Sequence, residues 1–226
     1  VGSEMCIRDS VYLPIPKVYE QVSNVEIHAS NPEITYIAPV DAPQRTVYFE
    51  TELKENQEFM VDYSFDYHVN YVELDPAKVS EEQPDFYLEE QAPHIVFTPY
   101  LRELRDELAG DETNPIILAR RFYDFVTTKV MYSFMREYFT IECIPEYCAI
   151  NLKGDCGVQA LLFITLCRMS QIPARWQSGL YVTKYYTGCH DWAQFYVAPY
   201  GWVFADLSFC LLYTSPSHET RSNLVC

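Results

Sequence analysis

Basic residues are scarce in this sequence. Its 226 residues hold 16 Lys and Arg against 32 Asp and Glu, a formal net charge of −16. Such a surface repels a phosphate backbone, so no nucleic-acid partner is expected. No apolar run reaches the roughly 20 residues that a membrane-crossing helix needs, so no transmembrane segment is expected. No Cys-x-x-Cys pair occurs, which removes the commonest thiolate zinc motif. Low-complexity stretches are few. With 49% hydrophobic and 21% charged residues, the chain reads as globular, with material for one large or two small cores.

The two ends read as foreign to the rest. Gly2–Asp9 and Cys210–Ser217 can be encoded by nucleotide strings that are reverse complements across nearly their whole length. Those strings resemble a transposon-type sequencing-library adapter. Residues 1–10 and 210–226 are therefore set aside as adapter-derived, as an expression scar would be. Without Arg8, Arg221, Glu4, Asp9 and Glu219 the remaining charge is near −15. Without Cys6, Cys210 and Cys226, five cysteines remain: Cys143, Cys148, Cys156, Cys167 and Cys189. An odd number cannot all pair within the chain. On this reading both native termini are absent, so the compartment is not legible.

The first half reads as strands. Phe59, Val61, Tyr63, Phe65, Tyr67, Val69 and Tyr71 alternate with mostly polar neighbours, the period of a half-buried strand. Thr46–Glu50 and Ile34–Ile37 are shorter candidates, punctuated by Pro32, Pro39 and Pro43. Residues 11–80 are expected to form a small antiparallel β domain of sandwich type, and residues 81–97 a linker.

The period then changes. Thr98-Pro99 and Asn114-Pro115 each place a capping side chain before a first-turn proline, ahead of apolar residues at helical spacing. Residues 131–153 read as irregular. A third helix starts near Asp155 and stops before Pro173. Strand-like segments follow at Ala174–Val182, His190–Val197 and Trp202–Phe209. Helices followed by strands in blocks give an α+β class for the domain at 98–209.

One thiol stands out. Gly154-Asp155-Cys156-Gly157 opens the third helix. A cysteine in a first turn faces unpaired backbone N–H groups and the positive end of the dipole, and both favour the thiolate. Its partners come from the last hairpin. Ala193, Phe195 and Val197 form an apolar stripe on one strand, and Val203, Ala205 and Leu207 on the next. If both stripes face one core, His190 and Asp206 share the opposite face, and Asp191 points away from His190. This register needs an odd loop, such as residues 198–200 with Gly201 left-handed.

Cys156 would then attack an acyl carbon, His190 would move the proton, and Asp206 would hold the imidazole. The Cys156 backbone N–H is one oxyanion donor. Trp176 and Gln177 are candidates for a second, and Tyr185 for the cleft border. The competing reading is a core thiol with an unrelated histidine. A zinc site at Cys143, Cys148, Cys189 and His190 lacks ligand spacing and would consume the base, so no metal or cofactor is expected. A Cys143–Cys148 disulfide is open if the chain is exported. Cys167, among Leu166 and Phe163, reads as packing.

These blocks resemble a known family. Gly154–Arg168 with Gln171–Gly179, then His190-Asp-Trp-Ala and Gly201–Asp206, are similar to the core of bacterial transglutaminase-like proteins, in the order Cys, His, Asp. The resemblance covers residues 98–209 and implies a circularly rearranged papain-like core with Cys156, His190 and Asp206 as its triad. The family's later core strands are expected to be missing, because the adapter sequence begins soon after Asp206. No acidic calcium cluster of the animal transglutaminase kind is present. The activity implied is a thiol peptidase or amidase working on protein or peptide substrates through a thioester. The alternatives are a cross-linking transglutaminase and a non-catalytic interaction module.

Overall fold

The alternation around Phe59–Tyr67 becomes an antiparallel strand whose inward residues meet a second sheet. A computed structural model describes residues 7–19, 21–53, 56–68, 71–182 and 184–212. The chain divides into two compact units between Asn70 and Tyr71.

In the first unit, β1 (Ile7–Pro14), β3 (Tyr36–Ile37) and β4 (Thr46–Leu53) form one antiparallel sheet in the order β1-β4-β3. β2 (Val22–Asn31) and β5 (Met60–Tyr67) form another. Val47 and Phe49 of β4 are fully buried, with Ile27, Phe59, Val61 and Tyr63 packed on their cluster. Phe49 and Phe59 meet edge to face at 5.6 Å. The alternation outlasts this small core, because Phe65 and Tyr67 remain exposed. Val69 lies outside the described residues. β2 was not expected from the sequence. Register shifts between Ser23 and Glu26 and between Ile27 and Ala29 break its two-residue period.

The second unit holds the helices. Thr98 and Asn114 cap α1 (Pro99–Ala109) and α2 (Pro115–Lys129) as expected, each accepting from first-turn amides. α3 (Ile144–Asn151) lies within the stretch expected to be irregular. It has only eight residues, carries Pro145, and ends on left-handed Leu152 at φ 50°. β6 (Met131–Tyr132) and β7 (Lys153–Gly154) form a short parallel pair beside it. α4 (Cys156–Met169) is buried along almost its whole length. It packs on a sheet of β8 (Ala174–Val182), β9 (Thr187–Val197), β10 (Gly201–Asp206) and β11 (Leu211–Leu212), ordered β11-β10-β9-β8.

Residues 81–97 do not form a free linker. The Ser80 amide donates to Ala198 O at 3.0 Å, and the Ala198 amide to Gln83 Oε1 at 2.9 Å. Phe86 packs on the rings of Tyr196 and Trp202 at 5.2 and 5.8 Å. Arg168, 1% exposed, donates to Glu89 O at 2.7 Å. An irregular backbone gives no periodic signal, yet these side chains tie it to the second unit. The segments set aside as adapter-derived also take part in sheets. Ile7–Ser10 of β1 oppose Glu50–Leu53, and Leu211 and Leu212 oppose Asp206 and Ala205. Ladder bonds are made by backbone groups, so pairing at a sheet edge is largely indifferent to side-chain identity.

Candidate functional site

The register of the last hairpin decides which side chains can meet. Gly201 opposes Val197, which leaves Ala198, Pro199 and Tyr200 as a three-residue loop. Gly201 has φ +82°, a left-handed value that suits glycine. Val203 then opposes Phe195 and Ala205 opposes Ala193, and all four are buried. His190 and Asp206 fall on the other face. Their side chains meet, with His190 Nε2 2.6 Å from Asp206 Oδ2.

Asp206 is fully buried and held at both oxygens. Its Oδ1 accepts from Ser208 Oγ and from the Phe209 amide, each at 3.1 Å. His190 is 6% exposed, and the rings of Phe209, Trp192 and Tyr181 surround it at 4.8, 5.9 and 6.4 Å. Burial among these rings disfavours the imidazolium. That is the largest single effect, but the hydrogen bonds to Asp206 and Cys156 and the charges of both together outweigh it, and the His190 pKa rises from 6.5 to about 9. With Nε2 committed to Asp206, Nδ1 is the nitrogen left for the thiol.

Cys156 is the first residue of α4, whose cap is Asp155. Asp155 Oδ1 accepts from the Val158 amide at 3.0 Å and from the Tyr138 hydroxyl at 2.5 Å. Cys156 is partly exposed. Cys148 and Cys167 are buried. Burial pushes Cys148 up to about 12 and Cys167 well above its ordinary range. Cys143 and Cys148 are free thiols, so the open disulfide between them is not formed.

Three neighbours of the sulfur were not anticipated. Asp191 Oδ2 lies 3.7 Å from Cys156 Sγ. It points away from His190 as expected, but toward the thiol, so consecutive residues of β9 reach the sulfur from two faces of the strand. Tyr132 and Tyr138 are the other two. Burial first, and then the negative charges of Cys156 and Asp155, raise the Tyr132 pKa. Burial and the Asp155 hydrogen bond raise that of Tyr138. Both tyrosines come from the stretch that looked irregular. Tyr132 is placed only by the two-residue pairing of β6 with β7.

The remaining candidates lie further off. Trp176 and Gln177 oppose Ala193 and Trp192, two residues along the ladder from Asp191 and His190. The Gln177 side-chain amide donates to Trp176 O at 2.9 Å, and Trp176 is 42% exposed. No described hydrogen bond joins either to Cys156. Tyr185 is 88% exposed, with the Lys184 ammonium 5.5 Å from its ring centre.

Comparison with known proteins places this arrangement. Residues 102–207 match the family model of the transglutaminase-like superfamily. No curated protein matches the chain in sequence. Among solved structures, a candidate cysteine protease from Cytophaga hutchinsonii is similar with a TM-score of 0.69 at 18% identity, over 91% of this chain and 75% of that one. The periplasmic domain of TgpA from Pseudomonas aeruginosa is similar with a TM-score of 0.45 at 19% identity, over 54% of this chain and 46% of that one. Residues 102–207 thus carry a transglutaminase-like domain, in which Cys156, His190 and Asp206 lie on α4, β9 and β10 in that order, and an antiparallel β unit precedes it in the chain.

Proposed function

We propose that this chain is a thiol acyl-transfer enzyme, a peptidase or amidase that opens peptide or glutamine carboxamides through a thioester on Cys156. The observation that carries this is the buried 2.6 Å His190–Asp206 pair beside the partly exposed Cys156 at the head of α4. In the first step the Cys156 sulfur attacks the carbonyl carbon. The oxyanion forms beside the Cys156 backbone N–H in the first turn of α4, where the helix dipole favours negative charge. His190 gives its proton to the departing amine, and the carbon–nitrogen bond breaks. In the second step water attacks the thioester, His190 takes the water's proton, and the thiolate leaves. Asp206 holds the ring orientation and stabilises the imidazolium throughout. A His190 pKa of about 9 keeps the ring protonated at neutral pH, ready to give its proton to the departing amine.

Alkylation by iodoacetamide at pH 6.5, followed at Cys156 by peptide mass spectrometry, tests this reading. Exposed Cys189 serves as an internal reference. Cys156 should react at least about tenfold faster than Cys189, with the excess lost in His190→Ala. Equal, slow reaction in both proteins would overturn it.

A further inference from the structure

Asp191 has no part in the His190–Asp206 pair, yet its carboxylate lies 3.7 Å from the Cys156 sulfur. It stands over the first turn of α4, where a methyl group added at Gly157 would come within 3.0 Å of the same oxygen. Among the described residues, no Lys or Arg pairs with Asp191, and the thiol is its hydrogen-bond partner. Burial raises its pKa, with the attraction of His190 opposing and the repulsion of Asp155 adding. Asp155 is engaged in capping α4 and holding Tyr138. Asp191 is thus a half-buried carboxyl group beside the nucleophile which, the attraction of neighbouring His190 apart, no Lys or Arg of the described residues pairs with.

We propose that Asp191 is a specificity-determining residue that selects substrates with a free α-ammonium group on the residue whose carbonyl Cys156 attacks. The inference rests on Cys156 being the nucleophile. Distances favour an ammonium so close to the reacting carbon. An ammonium bonded to Oδ2 at about 2.8 Å stands within roughly 6.5 Å of a sulfur that is 3.7 Å from that oxygen. An α-nitrogen lies about 2.5 Å from its own carbonyl carbon. Attack begins with that carbon about 3–3.5 Å from the sulfur, so both contacts fit together. The ε-ammonium of an extended lysine is several bonds further out and overshoots. A blocked N-terminus would leave the half-buried carboxylate without its cation. The substrate class is therefore a peptide or amide cut after its free N-terminal residue.

Two chloromethyl ketones of leucine test this, one with a free ammonium and one N-acetylated. In each, the Cys156 sulfur attacks the methylene carbon and a thioether forms as chloride leaves, the thiol's proton ending in solvent while the His190 ring keeps its own. Rates at Cys156 are read by peptide mass spectrometry and normalised to Cys189. In the wild-type chain the free-ammonium reagent should react at least about tenfold faster, the ratio expected for a charge-assisted contact. Raising salt from about 0.05 M to about 0.5 M should compress that ratio. Asp191→Asn should bring it near parity while iodoacetamide alkylation still depends on His190. No preference in the wild-type chain, or a preference unchanged in Asp191→Asn, would overturn the proposal. Failure of the enzyme reading itself would show separately, as iodoacetamide alkylation indifferent to His190→Ala.

Discussion

Replacing Asp206 by Asn keeps the shape of the side chain and removes its charge. In the native protein His190 titrates near 9 rather than 6.5, against the opposing effect of burial. Folding therefore raises a base's pKa. The stability it contributes is fully present below 6.5 and is lost as pH rises through about 9. The contribution works out at about 3 kcal/mol at pH 6, about 2 kcal/mol at pH 7.5 and under about 0.5 kcal/mol at pH 9. In Asp206→Asn burial remains and the main compensating partner is gone, so the His190 pKa should fall toward 6.5 or below. The asparagine oxygen at the Oδ1 position still accepts from Ser208 Oγ and the Phe209 amide, so the change falls on the His190 side of the group. The difference in unfolding free energy between the two proteins should therefore shrink by about 3 kcal/mol between pH 6 and pH 9. Urea denaturation of both proteins at three pH values, followed by tryptophan fluorescence, measures it. Other titrating groups largely cancel in the difference. A difference that stays constant or grows with pH would refute the coupling.

Three further outcomes follow from the same structure. Arg168→Ala should cost about 2–4 kcal/mol in urea denaturation, because it strands the buried carbonyl of Ala174 and removes the bond to Glu89 O. Limited proteolysis should then cut first within residues 81–97. Asn114→Ala removes the cap that accepts from Ile116 and Ile117, and should cost about 1 kcal/mol with Cys156 reactivity unchanged. Gly157→Ala drives a methyl into the Tyr138 hydroxyl and against Asp191. It should cost about 1–3 kcal/mol and slow Cys156 alkylation, whereas unchanged values for both would show that Tyr138 yields freely.

Local chemistry wrote much of this fold into the sequence. Thr98-Pro99, Asn114-Pro115 and Asp155 mark helix starts by side chains that bond their own first turn, and each helix begins there. The two apolar stripes of the last hairpin, with Gly201 able to take a positive φ, specify a register that puts His190 and Asp206 on one face. Short or irregular elements carry no such periodicity. The bulges in β2, the eight residues of α3 and the two-residue pairing of β6 with β7 became legible only when folded. So did the attachment of residues 81–97, which rests on aromatic contacts and isolated hydrogen bonds between residues far apart in sequence. The candidate nucleophile, base and carboxylate were therefore legible from pattern and spacing within one helix start and one hairpin. Tyr132, Tyr138 and Asp191 were decided by tertiary structure alone, because what brings them to the sulfur is the meeting of α4 with segments that are not its neighbours in the chain.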